Sequence, residues 1–113
     1  MQRSFRLQKN RQFQYVYRRG KSAATKEMVL LFARGNAVRI GFSVSKKLGN
    51  AVTRNLVKRR LRECFRPYVQ GIKPGSYVVA ARVGAAEASY EKLEKDALYL
   101  LKKLDVFVRG SSL

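Results

Sequence analysis

The sequence predicts a single domain of α+β structure, and three stretches of the chain indicate it. Arg39 to Ser45 alternates strictly between apolar and small or polar side chains, and Tyr77 to Val83 also has the pattern of a β-strand. Between them, Asn50 to Arg66 carries apolar residues at helical spacing. We therefore expect a helical crossover between two strands. The 113 residues suffice for one domain with a modest core.

The N-terminal part begins with a basic arm and a short helix. Residues 1–9 have too few apolar side chains to specify an element, and we expect this arm to order only partly. Phe13, Val16 and Tyr17 then fall at i, i+3 and i+4, which predicts a helix over residues 10–19. Its aromatic face fits two interpretations, ordinary core packing and contact with single-stranded bases.

Two or three strands follow this helix. Lys21 to Lys26 is a polar connection with room for a short edge strand, and Met28 to Ala33 is an apolar run suited to a buried strand. Gly35 and Asn36 then turn the chain. In the strand from Arg39 to Ser45, one face is apolar and should join the core. We expect the other face to be open, leaving a groove that a backbone or a base can approach closely.

The central helix has one apolar and one cationic side. Asn50 can cap its N-terminus, and Pro67 should end or kink it. Its apolar arc, which should face the core, consists of Val57, Leu61, Cys64 and Phe65. The basic residues that stack on the other side, four residues apart, are Arg54, Lys58, Arg62 and Arg66. Glu63 is the one acid of this helix, so little within it relieves the repulsion between the cations.

The charge distribution indicates a polyanionic partner. The net charge is +18, and residues 1–66 hold 18 Lys or Arg but only two acids. A basic helix face is often merely solvated, but clustered cations with so few acids are what phosphate neutralisation requires. The first two thirds of the chain should therefore meet a nucleic acid, and the remainder should complete the fold.

The C-terminal part has the features of a structural helix. Ser89 can cap it, and its charges follow the helix dipole, with acids near its start and lysines near its end. Its apolar stripe consists of Tyr90, Leu93, Ala97, Leu100, Leu101 and Leu104. Residues 106–113 form a short C-terminal tail with no predicted structure.

Several function classes lack the residues that they need. The chain has no histidine and a single cysteine, Cys64, which lies on the apolar arc and should be a packed thiol. The commonest general base and zinc ligand are therefore missing, and we predict neither a catalytic residue nor a metal site in the protein. No apolar run approaches the length of a membrane span, and the N-terminus lacks the pattern of a signal peptide, so we expect a cytoplasmic protein.

Three motifs link the chain to a known family. They are RIGFSVSKKLGNAVTRNLVKRRLRE at Arg39 to Glu63, QFQYVYRRGK at Gln12 to Lys21 and YVVAARVGA at Tyr77 to Ala85. With these motifs the chain resembles the bacterial ribonuclease P protein subunit, from about Phe5 to Leu104. A basic helix alone would fit many RNA-binding proteins, whereas the three motifs together are specific.

The resemblance implies a fold and a function. The fold would be a two-layer α/β sandwich with a central mixed sheet, in the order α-β-β-(β)-α-β-α. Its crossover through the basic helix would be left-handed, although such connections are right-handed in nearly all proteins. The function would be that of the protein subunit of an RNA-catalysed endoribonuclease, which removes the 5′ leader of precursor tRNA. Ribonuclease P RNA and precursor tRNA would be its partners, and Mg²⁺ ions would be held mainly by the RNA.

The resemblance also implies two sets of contact residues. The family's basic-helix motif falls on Arg54, Asn55, Lys58, Arg59 and Arg62, and we add the neighbouring Lys46, Lys47, Asn50 and Arg66 as contacts of the catalytic RNA. The leader would contact the N-terminal helix and the open strand face, and its candidate residues are Phe13, Tyr17, Arg39, Ser43 and Arg82. The sequence departs from the family pattern at Leu56, where an arginine is usual, and at Leu31, where an aromatic residue is common.

Two other functions fit part of the sequence. A ribosomal or other structural RNA-binding protein would share the basic helix and the lack of catalytic groups. A membrane-active cationic protein would share the charge, but not the strands or a basic helix with a buried stripe.

Overall fold

The structure, a computed structural model, describes residues 5–7 and 9–108. In this part of the chain the helices and strands lie in the order α1 (Asn10–Arg19), β1 (Lys21–Ala24), β2 (Met28–Arg34), β3 (Val38–Ser43), α2 (Ala51–Phe65), β4 (Gly75–Ala81) and α3 (Tyr90–Lys103). The predicted order of elements is confirmed, and the polar connection after α1 does contain an edge strand, β1. Both predicted strands around α2 begin and end earlier than the sequence pattern indicated.

The four strands form one mixed sheet in the order β1-β2-β4-β3. β1 pairs with β2 and β2 with β4 in antiparallel fashion, whereas β3 and β4 are parallel. Because α2 connects the parallel pair, the predicted crossover is confirmed. The left-handed sense of this crossover stays a prediction that rests on the family resemblance.

The main core lies between one face of the sheet and helices α2 and α3. Tyr77, on β4, is fully buried there, stacks on Phe32 with 4.7 Å between ring centroids and donates a hydrogen bond of 2.6 Å to the carbonyl of Lys73. The predicted apolar arc of α2 is buried in this core: Val57, Leu61, Cys64 and Phe65. Periodicity thus identified correctly which side of the basic helix faces inward.

A second, smaller core lies on the opposite face of the sheet, beneath α1. Val16 of α1 is fully buried against Leu31 of β2 and Val78 of β4, and Phe13 packs at its edge. Leu31 is therefore a core residue under α1. Consequently α1 covers part of the sheet face that the sequence had suggested would be open.

The two ends of the described chain dock on the sheet and the loops. Leu7 is buried, and its N–H donates to the carbonyl of Ile40 at 3.0 Å, so residues 5–7 lie along the free edge of β3. At the other end, the carbonyl of Val106 accepts from the N–H of Lys73 at 2.7 Å, and Val106 is buried. The remainder of the predicted arm and tail, residues 1–4, 8 and 109–113, lies outside the described residues.

Two buried carboxylates tie the β1–β2 turn to α3. Asp96 accepts a hydrogen bond of 3.2 Å from the Thr25 hydroxyl, and Lys92 lies 2.8 Å from Asp96 and 3.5 Å from Glu27. Glu27 and Asp96 are each at least nine-tenths buried, and the shared Lys92 offsets part of the cost of burying their charges, although Oε1 of Glu27 has no hydrogen-bond partner among the described residues. No helix in residues 5–7 and 9–108 is long and apolar enough to cross a membrane.

Candidate nucleic-acid interface

The entrance to α2 is fixed by a cap and a short turn. The Asn50 side chain accepts a hydrogen bond of 3.0 Å from the backbone N–H of Thr53, as predicted for an N-cap. Just before it, a 3₁₀ turn over Lys46–Leu48 buries Leu48 and leaves Lys46 and Lys47 exposed. The two lysines therefore extend the cationic surface beyond the start of the helix, while Asn50 serves first as a cap.

The four stacked cations of α2 have different environments. Lys58 and Arg62 are half-buried and line clefts, whereas Arg66 is exposed and forms an ion pair of 3.0 Å with Glu63. Arg54 is half-buried, and its Nε atom is buried without a hydrogen bond to any described residue. Because a surface ion pair is weak, Arg66 is still available to an anion.

A first cleft, which we name the α1 cleft, gathers residues from four parts of the chain. It has a volume of about 250 Å³. The residues that line it come from the arm, α1, β3 and α2: Arg6, Leu7, Phe13, Ile40, Gly41, Phe42, Lys58 and Arg62. The Phe13 ring and three cations thus border one cavity, a combination suited to single-stranded nucleic acid.

Phe13 closes part of the groove that was expected above β3. A Cβ atom placed on Gly41 would lie 2.4 Å from Cζ of Phe13 and 3.0 Å from Cβ of Leu7. The prediction of an open strand face at Gly41 is therefore wrong in detail, because side chains of α1 and the arm already occupy this space. The groove survives as the α1 cleft, with Phe13 as one wall.

A second cleft, the α2 cleft, lies along the outer side of the basic helix. Its volume is about 470 Å³. The residues that line it all belong to α2: Val52, Asn55, Leu56, Lys58, Arg59 and Arg62. Lys58 and Arg62 line both clefts, so the two candidate contact sets are neighbours that share these cations.

The other residues predicted to contact the leader do not line the α1 cleft. Tyr17 is 43% exposed on α1, and Ser43 is half-buried on β3. Arg39 donates to the carbonyl of Val38 at 3.0 Å, and Arg82 donates to the carbonyl of Thr25 at 3.0 Å. Arg39 and Ser43 flank Gly41 on the same side of β3. Arg82, in contrast, is held against the β1–β2 turn.

Seven residues that line the clefts were missing from the predicted sets, and three of them, Ile40, Gly41 and Phe42, belong to β3. Arg6 and Leu7 belong to the arm, whose basic character was a signal, although only the pairing with the β3 edge brings them to the α1 cleft. Val52 and Leu56 line the α2 cleft and are apolar. An interpretation based on charge alone could not have selected them.

Neither a metal-binding cluster nor an activated thiol is found among the described residues. No group of three or more Cys, Asp or Glu among them could hold a metal ion. Burial raises the pKa of the Cys64 thiol to about 12, and the nearby Glu94 adds to this effect, so the thiol is neutral and a poor nucleophile. What these residues do provide is a cationic, partly aromatic binding surface.

This fold and this surface define a small basic RNA-binding protein. A family model for ribonuclease P matches residues 1–105, and the chain belongs to this family. It is 42% identical to the ribonuclease P protein component of Geobacillus kaustophilus, over 97% of this chain and 94% of that relative. It is 37% identical to the component of Bacillus velezensis, over 99% of each chain.

Solved structures give the same result. The ribonuclease P protein of Staphylococcus aureus superposes with a TM-score of 0.85 at 36% identity, covering 92% of this chain and 98% of that one. The protein of Thermotoga maritima gives a TM-score of 0.76 at 32% identity, covering 87% and 96%. The predicted family, fold class and function are therefore confirmed: the chain is a protein subunit of the ribonucleoprotein endonuclease that matures tRNA 5′ ends, with ribonuclease P RNA and precursor tRNA as partners. The alternatives of a ribosomal or a membrane-active protein are set aside.

Proposed function

We propose that the chain divides its RNA contacts between the two clefts. The side of α2 that carries the α2 cleft, with Lys46, Lys47 and Arg66 at its ends, would bind the catalytic RNA. The α1 cleft would receive the 5′ leader, with further contacts from Tyr17, Arg39, Ser43 and Arg82, which do not line it. The observation that carries the proposal is that Lys58 and Arg62 line both clefts.

The shared cations suggest how the protein assists cleavage. Two RNA segments that approach the same site repel each other through their phosphates, and this repulsion is strongest at low ionic strength. Lys58 and Arg62, placed between the segments, would offset the repulsion and release counterions from both. The protein thereby holds the leader beside the catalytic RNA without taking part in bond cleavage.

The α1 cleft suits a single strand better than a duplex. Its Phe13 ring offers a stacking partner, and Arg6, Lys58 and Arg62 offer hydrogen-bond donors to the phosphates of an unpaired strand. Arg6, from the arm, adds a cation to this cleft. These contacts engage backbone and base faces, so we expect them to tolerate many leader sequences.

We also propose that the Mg²⁺ ions of the holoenzyme are held mainly by the RNA, where they would supply an activated water. The buried pair Glu27 and Asp96 does not fit that role, because it is occupied by the Lys92 ammonium group. Residues 1–113 would act as one RNA-binding domain, with residues 1–9 as its arm and residues 106–113 as its tail. We place its work in the cytoplasm.

Reconstitution with the catalytic RNA tests the proposal. The protein alone should leave precursor tRNA intact, and together with the RNA it should raise cleavage at low Mg²⁺ far more than at high Mg²⁺. The double variant Lys58→Ala with Arg62→Ala should lose most of this gain in cleavage at low Mg²⁺. Cleavage by the highly purified protein without RNA, or a gain that survives in this variant, would overturn it.

A further inference from the structure

Two apolar side chains interrupt the cationic surface of α2. Val52 is 78% exposed, and Leu56 lies one turn further along the same side of the helix. Leu56 is half-buried, yet it is not among the side chains that pack against the two described core clusters. Because both residues line the α2 cleft, they give one side of it an apolar strip.

The other residues that line the α2 cleft are polar or cationic. They are Asn55, Lys58, Arg59 and Arg62, and no carboxylate lines the cleft in the described part of the chain. The volume of about 470 Å³ is that of an open groove on one side of a single helix, on which Val52 is 78% exposed. An apolar strip beside cationic side chains matches the chemistry of a nucleotide, whose base and ribose carbons are apolar and whose phosphates are anionic.

We propose that the α2 cleft holds one unstacked nucleotide of the catalytic RNA. Its base or ribose would lie on Val52 and Leu56, and its flanking phosphates would meet Arg59 and Arg62. The occupant is the catalytic RNA and not the leader, because Val52 and Leu56 line only the cleft that lies away from Phe13. This inference rests on the proposed assignment of α2 to the catalytic RNA and adds to it a contact that is not electrostatic.

The two kinds of contact respond differently to salt. Each phosphate contact releases counterions, so its contribution to affinity falls as salt rises. The contact between a base and an aliphatic side chain removes apolar surface from water and has no such dependence. One salt series can therefore distinguish the apolar contact at Val52 and Leu56 from the phosphate contacts of the cationic residues.

The test is a double variant, Val52→Ala with Leu56→Ala, in which alanine keeps the helix favourable. Its affinity for the catalytic RNA should fall by at least about tenfold, with the slope of log affinity against log salt unchanged. Chemical probing of the bound RNA should show one base that loses its protection. Val83→Ala is the matched control, since Val83 is 62% exposed and lines neither cleft, and it should bind like the parent.

Two outcomes separate this inference from the function on which it rests. If the double variant binds like the parent, or if its salt slope changes, Val52 and Leu56 hold no nucleotide and the inference fails. The assignment of the basic residues of α2 to the catalytic RNA is then unaffected. Arg59→Ala can be compared with the double variant in the same way. If Arg59→Ala keeps the parent's salt slope while the double variant weakens binding, the assignment of phosphates to the cationic residues of the cleft fails instead. Circular dichroism of each variant verifies that the helix is intact.

Discussion

The ring of Phe13 lies directly over the backbone of Gly41, so close that a Cβ atom at residue 41 would be 2.4 Å from Cζ of the ring. Glycine is required here for close approach and not for an unusual backbone angle. The contact joins α1 to β3 and sets the width of the α1 cleft, which both residues line. The position of the aromatic wall therefore depends on the absence of a side chain on the neighbouring strand.

Gly41→Ala should displace the Phe13 ring. Overpacking of this kind typically lowers the free energy of unfolding by about 1 to 3 kcal/mol. Urea denaturation of Gly41→Ala, Phe13→Ala and the double variant measures the coupling between the two positions, which we expect to reach at least about 0.5 kcal/mol. If the two single effects simply add, the ring does not occupy the space above the glycine.

Tyr17→Ala should weaken binding of precursor tRNA more than binding of mature tRNA, because only the precursor carries a leader. Tyr17 is 43% exposed, so its removal should leave the fold intact, and a lost stacking contact costs about 1 to 3 kcal/mol of binding free energy. Tyr15→Ala is a matched control on the same helix, since Tyr15 is 49% exposed and not part of the predicted leader set. An equal loss of affinity for both tRNAs would contradict the assignment.

Local features of the chain were predictable because they depend on neighbouring residues. The caps formed by Asn50 and Ser89 and the buried arc that includes Leu61 follow from spacing within one helix. The family resemblance added the sandwich and the identity of the basic surface, which spacing alone could not supply.

What the sequence did not predict depends on contacts between distant segments. β4 inserts between β2 and β3, so the strands that flank the Gly35 turn are not partners in the sheet. Leu7 reaches the α1 cleft only because β3 has a free edge for the arm. Glu27 is buried because Lys92, from the last helix, lies beside it. No periodicity within a single element reveals such pairings.

The stability of the protein should fall as the pH rises above 9. Burial raises the pKa of the Cys64 thiol from 9.0 to about 12, so the unfolded chain loses this proton before the folded chain does. The folded state then binds more protons, and its stability falls by up to about 1.4 kcal/mol per pH unit in this window. Tyr77, whose pKa burial also raises from 10.0, should add to the loss at higher pH.

Cys64→Ala isolates the contribution of the thiol. The variant should be less stable than the parent at pH 8, because it lacks a buried side chain. By pH 10 the difference in unfolding free energy should narrow by about 1.4 kcal/mol. Only the parent has a thiol that ionises in the unfolded state and stays protonated in the folded state, so only the parent is destabilised in this way. Urea denaturation at both pH values measures this difference, and a constant gap would show that the thiol does not titrate as described.

The two sides of α2 should separate RNA binding from stability. Lys58→Ala with Arg62→Ala should change the free energy of unfolding little, because alanine favours helix and the removed charges repel each other. The slope of log affinity for the catalytic RNA against log salt should become shallower by up to about 0.7 to 0.9 per lost phosphate contact. Leu61→Ala, on the fully buried side, should leave that slope unchanged and cost roughly 2 to 5 kcal/mol of stability.

A charge-matched control distinguishes these contacts from a general loss of positive charge. Lys102→Ala with Lys103→Ala removes the same two charges from exposed positions of α3 that line neither cleft. Its salt slope should match the parent's, because cations remote from the RNA release no counterions on binding. RNA binding across a salt series, with urea denaturation of every variant, gives both readouts. If the α3 variant and the α2 variant flatten the slope equally, the cations of α2 act only through net charge and do not contact phosphates.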